Sequence, residues 1–155
     1  MEETYRIPED RDLWASLLIL DGTDKADVLS SLSITYSGTE ESQFAIALAE
    51  EAKDLYLAAG FDGNEIEFAW IWGVLAESNA RLDQYNEAIE AGLRYEKGYS
   101  NHLYPAYPEI RWQMIPWYLE AYRFEEAKAQ FEMLHDRYKL VSELDFSDYE
   151  YIEIE

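Results

Sequence analysis

Cysteine is absent from this 155-residue chain. Without a thiol there is no disulfide framework and no thiolate metal site, and the redox compartment is left open. Basic residues are scarce: 12 Lys and Arg stand against 33 Asp and Glu, a formal charge of −21. Such a chain repels polyanions, which argues against nucleic acid and anionic membranes as partners. No apolar run approaches the ~18 residues of a membrane span. The opening residues Met1-Glu2-Glu3-Thr4-Tyr5-Arg6 lack the basic and apolar regions of a secretory signal, so a cytoplasmic location is the expectation.

Catalytic vocabulary is equally thin. His102 and His135 are the only histidines and lie 33 residues apart, without metal-ligand spacing. No phosphate-binding glycine loop, nucleophile elbow or His-Glu-x-x-His run occurs. Asp62-Gly63-Asn64-Glu65 has a superficial likeness to part of a calcium loop, but its spacing is wrong and a turn followed by a helix cap accounts for all four residues. The chain is read as non-catalytic, with no cofactor and no metal.

What is present is helical periodicity. Hydrophobic residues make up 48% of the chain, enough for one core. Apolar residues at i, i+3, i+4, i+7 spacing, with caps and breakers between them, predict an all-α fold of seven helices. These run over about Pro8–Leu20, Asp24–Tyr36, Gln43–Ala59, Asn64–Leu82, Gln84–Lys97, Pro108–Tyr122 and Phe124–Tyr138. Asn64 with Glu67 has the form of a capping box for the fourth helix. Gly98 to Tyr107 reads as a longer loop, and Pro116 should kink the sixth helix. Residues 1–142 form one domain; residues 143–155 form an acidic, aromatic C-terminal segment.

Two helix pairs match each other. Trp72, Leu75 and Ala76 precede Tyr85-Asn86-Glu87-Ala88-Ile89; Trp112 and Ile115 precede Phe124-Glu125-Glu126-Ala127-Lys128. The tryptophans are 40 residues apart and Ala88 and Ala127 are 39 apart. Small residues are needed there because paired helices cross closely. Over residues 64–139 this resembles the tetratricopeptide repeat, a helix-pair unit of about 34 residues. The resemblance implies antiparallel pairs winding into a right-handed superhelix, here irregular because of the Gly98–Tyr107 insertion and Pro116. It also implies a scaffold for protein contacts.

Candidate contact residues follow from aromatics and charge. Trp70 and Trp72 project about 200° apart on one helix, and Trp112 and Trp117 about 140° apart, so one core stripe cannot hold both members of either pair. Stacked layers that bury both faces would account for this, as would a binding surface lined by Trp70, Trp112 and Trp117. Residues 40–80 hold nine acids and one base, with Glu50, Glu51 and Asp54 on one helix face. Tyr149 and Tyr151 are anchors in the C-terminal segment, which either caps the stack or reaches a partner. The expected function is neutralisation of a basic protein, such as a nuclease toxin or another nucleic-acid-binding enzyme, in the manner of immunity proteins and nucleic-acid mimics. The alternative is an adaptor or chaperone that holds a peptide or client.

Overall fold

A computed structural model describes residues 8–102 and 108–143. Among them are seven α-helices and no strand: α1 (Pro8–Ser16), α2 (Gly22–Tyr36), α3 (Ser42–Ala58), α4 (Ile66–Arg81), α5 (Tyr85–His102), α6 (Pro108–Glu120) and α7 (Phe124–Glu143). The all-α expectation holds. Each helix packs chiefly on its sequence neighbours, with α2 also touching α4. Neighbours run antiparallel. Lys25 at the start of α2 pairs with Glu51 late in α3, and Gly98 late in α5 abuts Ala69 early in α4. Between α5 and α6, Glu96 pairs with Arg111 while Gly92 faces Met114, so the two numberings run in opposite directions.

Several boundaries differ from the sequence reading. α1 stops at Ser16, whose hydroxyl donates to the Leu13 carbonyl at 2.6 Å. That bond competes with the helical ladder, and the chain passes through tighter turns to Leu20. The Asn64–Glu67 capping box does not form. The Asp62 carboxylate instead accepts the Asn64 N–H at 2.9 Å, and the Glu65 carboxylate accepts the N–H groups of Asp62 and Gly63. Asn64 is thus tied into the turn, and α4 starts at Ile66 behind Glu65. The Asn64 N–H foremost holds the Asp62 carboxyl below its ordinary pKa.

α5 continues through the predicted break at Gly98 to His102, because that glycine sits in a tight helix crossing rather than a turn. Residues 103–107 of the expected loop lie outside the described part, as do residues 144–155 with Tyr149 and Tyr151. Pro116 lies inside α6 on its exposed side. The hydrogen bond it removes would have gone to the carbonyl of Trp112, itself an exposed residue.

The internal repeat is visible in the backbone, in a register of 39. α4 ends with Asp83 at φ 60° and α6 with Tyr122 at φ 59°. In each turn the next N–H returns to the carbonyl five residues back: Gln84 to Asn79 at 2.9 Å and Arg123 to Tyr118 at 2.8 Å. The left-handed residue itself bonds three back, Asp83 to Ala80 and Tyr122 to Leu119. This is the Schellman arrangement. α3 closes in the same way at Gly60, where φ is 97°. In this register buried residues coincide: Ile71 with Ile110, Leu75 with Met114, Ala88 with Ala127. The match of Trp72 with Trp112, made at 40, is corrected: Trp112 corresponds to Gly73.

A left-handed conformation suits glycine, costs an L-residue roughly 1–2 kcal/mol, and is a true outlier for a bulky side chain. Tyr122 is 82% exposed, with one ring contact to Phe124 at 6.2 Å. Tyr122→Gly should therefore stabilise the protein by about 0.5–1 kcal/mol. Urea unfolding checks this. A loss of stability would mean that ring contacts outweigh the backbone strain.

The larger core cluster joins α2, α3 and α4 around Leu29, Leu32, Tyr56, Phe68 and Ile71; the smaller joins Ile89, Ile110, Met114, Tyr118 and Ala127. Trp117 packs against both. Tyr56 is 1% exposed, and its hydroxyl donates to the Asp27 carboxylate. Burial first, then that bond, pushes its pKa well above the ordinary tyrosine value; burial also raises Tyr118. The unfolded chain loses these protons near pH 10 while the folded chain keeps them. Stability is therefore full below about pH 10 and falls above it. Melting temperatures between pH 8 and about 11 should drop, and Tyr56→Phe should make the drop shallower. An identical slope in the variant would show that Tyr56 does not carry it.

Candidate functional site

The two tryptophans of α4 point to different sides of the stack, as their angular separation requires. Trp72 is half-buried and floors a groove between α3 and α5. Above it lie the Arg94 guanidinium, 4.5 Å from the ring centroid, and the Lys53 ammonium at 5.4 Å. Cations over an indole face are attracted by its quadrupole. One end of the groove is a cleft of about 400 Å³ where Lys53, Arg94 and Lys97 meet Trp72. The other end, about 450 Å³, is lined by Glu50, Glu87, Glu90, Asn79 and Asn86. The groove is bipolar, with its basic end toward the C-terminus of α5.

Trp70 lies on the opposite side, 43% exposed, in a cleft of about 410 Å³ between α2 and α4. Asp27 and Glu67 supply its charge; Ser30, Ser31 and Ile34 supply the rest of the wall, and Tyr56 closes the bottom. The Asp27–Tyr56 hydrogen bond fixes one carboxylate of the pair. A carboxylate pair beside an indole is chemically suited to a guanidinium or ammonium, through Coulomb attraction and the ring face together.

The remaining candidates are dispersed. Glu50 pairs with Lys53 at 2.5 Å and Glu51 with Lys25 at 3.6 Å, so two carboxylates of the α3 face are partly compensated within the fold. Asp54 is exposed, without an ion pair among the described residues. Trp112 is 48% exposed and meets Phe131 edge to face at 6.4 Å. Trp117 is half-buried between the two core clusters. Trp70, Trp112 and Glu50 thus occupy three separate places.

Sequence reasoning missed Trp72, Arg94 and Lys97 as a group. Arg94 and Lys97 sit one turn apart, a signal that was available, but only the crossing of α3, α4 and α5 brings Lys53 and Trp72 to them. Among the described residues no three His, Asp or Glu side chains are grouped to hold a metal, and no helix is long and apolar enough to cross a membrane. Compared with known proteins, the chain matches no family profile, no curated protein and no solved structure.

Proposed function

We propose that this chain is a non-catalytic, acidic protein-binding module, wound as an irregular tetratricopeptide-like right-handed superhelix, that covers and neutralises a basic protein in the cytoplasm. The observation that carries the reading is the cleft in which Asp27 and Glu67 flank Trp70. It takes an arginine or lysine side chain of the partner, and the negative field around it steers the encounter. Residues 22–81, which build this side of the molecule, hold 11 acids and three bases. Such a field raises association rates and makes them salt-sensitive. The aromatic ring supplies the contact that slows dissociation. A surface that neutralises cationic grooves fits the nucleic-acid-binding enzymes best, a nuclease toxin among them.

The test is recovery of the partner on the immobilised protein at low and high salt, followed by its identification. A folded basic protein released by salt is expected. Glu67→Lys should abolish its recovery, and Trp70→Ala should weaken binding by about tenfold or more. A partner kept through high salt, and indifferent to both variants, would replace this reading with an adaptor that holds a peptide or client by apolar contacts.

A further inference from the structure

The Trp70 cleft holds more than a pair of carboxylates. Its two walls, α2 and α4, each run antiparallel to α3 and so parallel to each other. Their register is fixed at the far end, where the Ser37 hydroxyl after α2 donates to the Glu77 carboxylate of α4 at 3.1 Å, an offset of 40. Carried back along both helices, the same offset sets Asp27 beside Glu67 and, one turn on, Ser30 beside Trp70. Burial keeps the Tyr56 phenol protonated, and both carboxylates reinforce it, Asp27 by hydrogen bond and Glu67 by charge. The two acids thus converge on one hydroxyl at the bottom of the cleft. Among the described residues neither has an ion-pair partner.

Ser30 is a separate observation. It is 4% exposed and lines this cleft. Ser31 and Ser33 donate to backbone carbonyls of their own helix, at 3.0 and 2.7 Å. Among the described residues the Ser30 hydroxyl has no hydrogen-bond partner. A buried hydroxyl left so is costly unless something entering the cleft satisfies it.

The acceptors decide between the two natural cations. Tyr56 occupies Oδ1 of Asp27, which leaves Oδ2, both Glu67 oxygens and the Ser30 oxygen around one indole. An ammonium is a point charge whose three N–H groups diverge from a single nitrogen. A guanidinium carries five N–H groups in one plane and leaves its face for an aromatic ring. A planar fork lying on Trp70 reaches acceptors on both helices at once, whereas a point cation sits beside one carboxylate and leaves the others unmet.

We infer that the Trp70 cleft is an arginine site that selects a guanidinium over an ammonium. Asp27 and Glu67 hold its edges, the Trp70 ring lies against its face, and Ser30 is the specificity-determining acceptor. The inference rests on the reading of this cleft as the partner's docking point and narrows the partner to one that presents an arginine there.

Titration of the full chain with N-acetyl-arginine methylamide and with N-acetyl-lysine methylamide tests it. The readout is the indole N–H signal of Trp70 by NMR, assigned with Trp70→Phe. The arginine probe should bind at least about fivefold more tightly than the lysine probe. Ser30→Ala should cut that ratio to about twofold or less and leave the affinity of the lysine probe as it was. Glu67→Gln should weaken both probes. A lysine probe that binds as well as the arginine probe, a Trp70 signal that neither probe shifts, a ratio untouched by Ser30→Ala, or probes indifferent to Glu67→Gln would each overturn the inference. The reading it rests on fails separately, when the immobilised chain recovers no basic protein.

Discussion

Replacing Arg111 by methionine should lower stability by about 3 kcal/mol. The guanidinium pairs with Glu96, and its other nitrogen donates to the Gln130 side chain at 2.7 Å. The two charged side chains are 14% and 11% exposed. One cation therefore ties α5, α6 and α7 together where little water reaches. Methionine fills much the same volume but removes the Arg111 charge from beside the Glu96 carboxylate, and breaking a buried pair by removing one partner costs more than the pair itself contributes. For a chain of this size the melting temperature should fall by roughly 6–12 °C. The double variant Glu96→Leu/Arg111→Met removes both charges and should recover most of the loss. If Arg111→Met alone melted like the parent, the pair would be solvated and the junction of α5, α6 and α7 would rest on apolar packing.

The second large effect is expected at Gly98. Helix propensity alone says that a glycine inside a helix is a defect, and that alanine there should stabilise by about 1 kcal/mol. The crossing says the reverse. A Cβ on Gly98 would lie 2.7 Å from the Ala69 Cβ and 3.3 Å from its Cα, and neither atom can swing away. Gly98→Val should cost about 3 kcal/mol and Gly98→Ala about 1–2 kcal/mol by forcing α4 and α5 apart. Moving the methyl across the interface, as Ala69→Gly with Gly98→Ala, should restore much of the stability, with a coupling of about 1 kcal/mol in the double-mutant cycle. Stabilisation by Gly98→Ala would mean that the helices separate easily and that the glycine is only a propensity defect.

Gly98 also shows where sequence reading stops. Periodicity located all seven helices because amphipathic stripes such as Ala45-Leu48-Ala49-Ala52 declare a helix locally. A glycine followed by tyrosines and prolines reads locally as a break, whereas its actual partner is Ala69, 29 residues earlier. The capping box failed for a similar reason. Asn64 and Glu67 have the right spacing, but Asp62 and Glu65 had already claimed the free N–H groups of the turn. The repeat register slipped by one because tryptophans draw the eye. The backbone turns at Asp83 and Tyr122 are what repeat, and a non-glycine residue in a left-handed turn leaves no compositional trace.

The candidate site was legible in the same uneven way. That Trp70 and Trp72 must face apart follows from 100° per residue, and they do. That Asp27 would stand beside Trp70, or Lys53 above Trp72, depends on which helices cross and at what height. Those are long-range facts that a single sequence does not encode in any local pattern. Charge was legible as a total and as single helix faces such as Glu50, Glu51 and Asp54, but not as pairs between helices. The fold spends some of it in pairs such as Lys25–Glu51 and gathers some of the remainder in the Trp70 cleft.

The division of the apolar interior into two clusters bears on how the molecule comes apart. When helices meet almost only their chain neighbours, unfolding resembles a row of coupled segments rather than a single event. The pair α6–α7 rests on the smaller cluster, so amide hydrogens there should exchange through a lower-energy opening than those of α3 and α4. Trp117 touches both clusters and is the main indole coupling them. α5 also supplies Ala91 to the larger cluster and Ile89 to the smaller, so cooperativity between the halves runs through α5 and Trp117, and the molecule can loosen at its C-terminal end while its N-terminal layers stay closed.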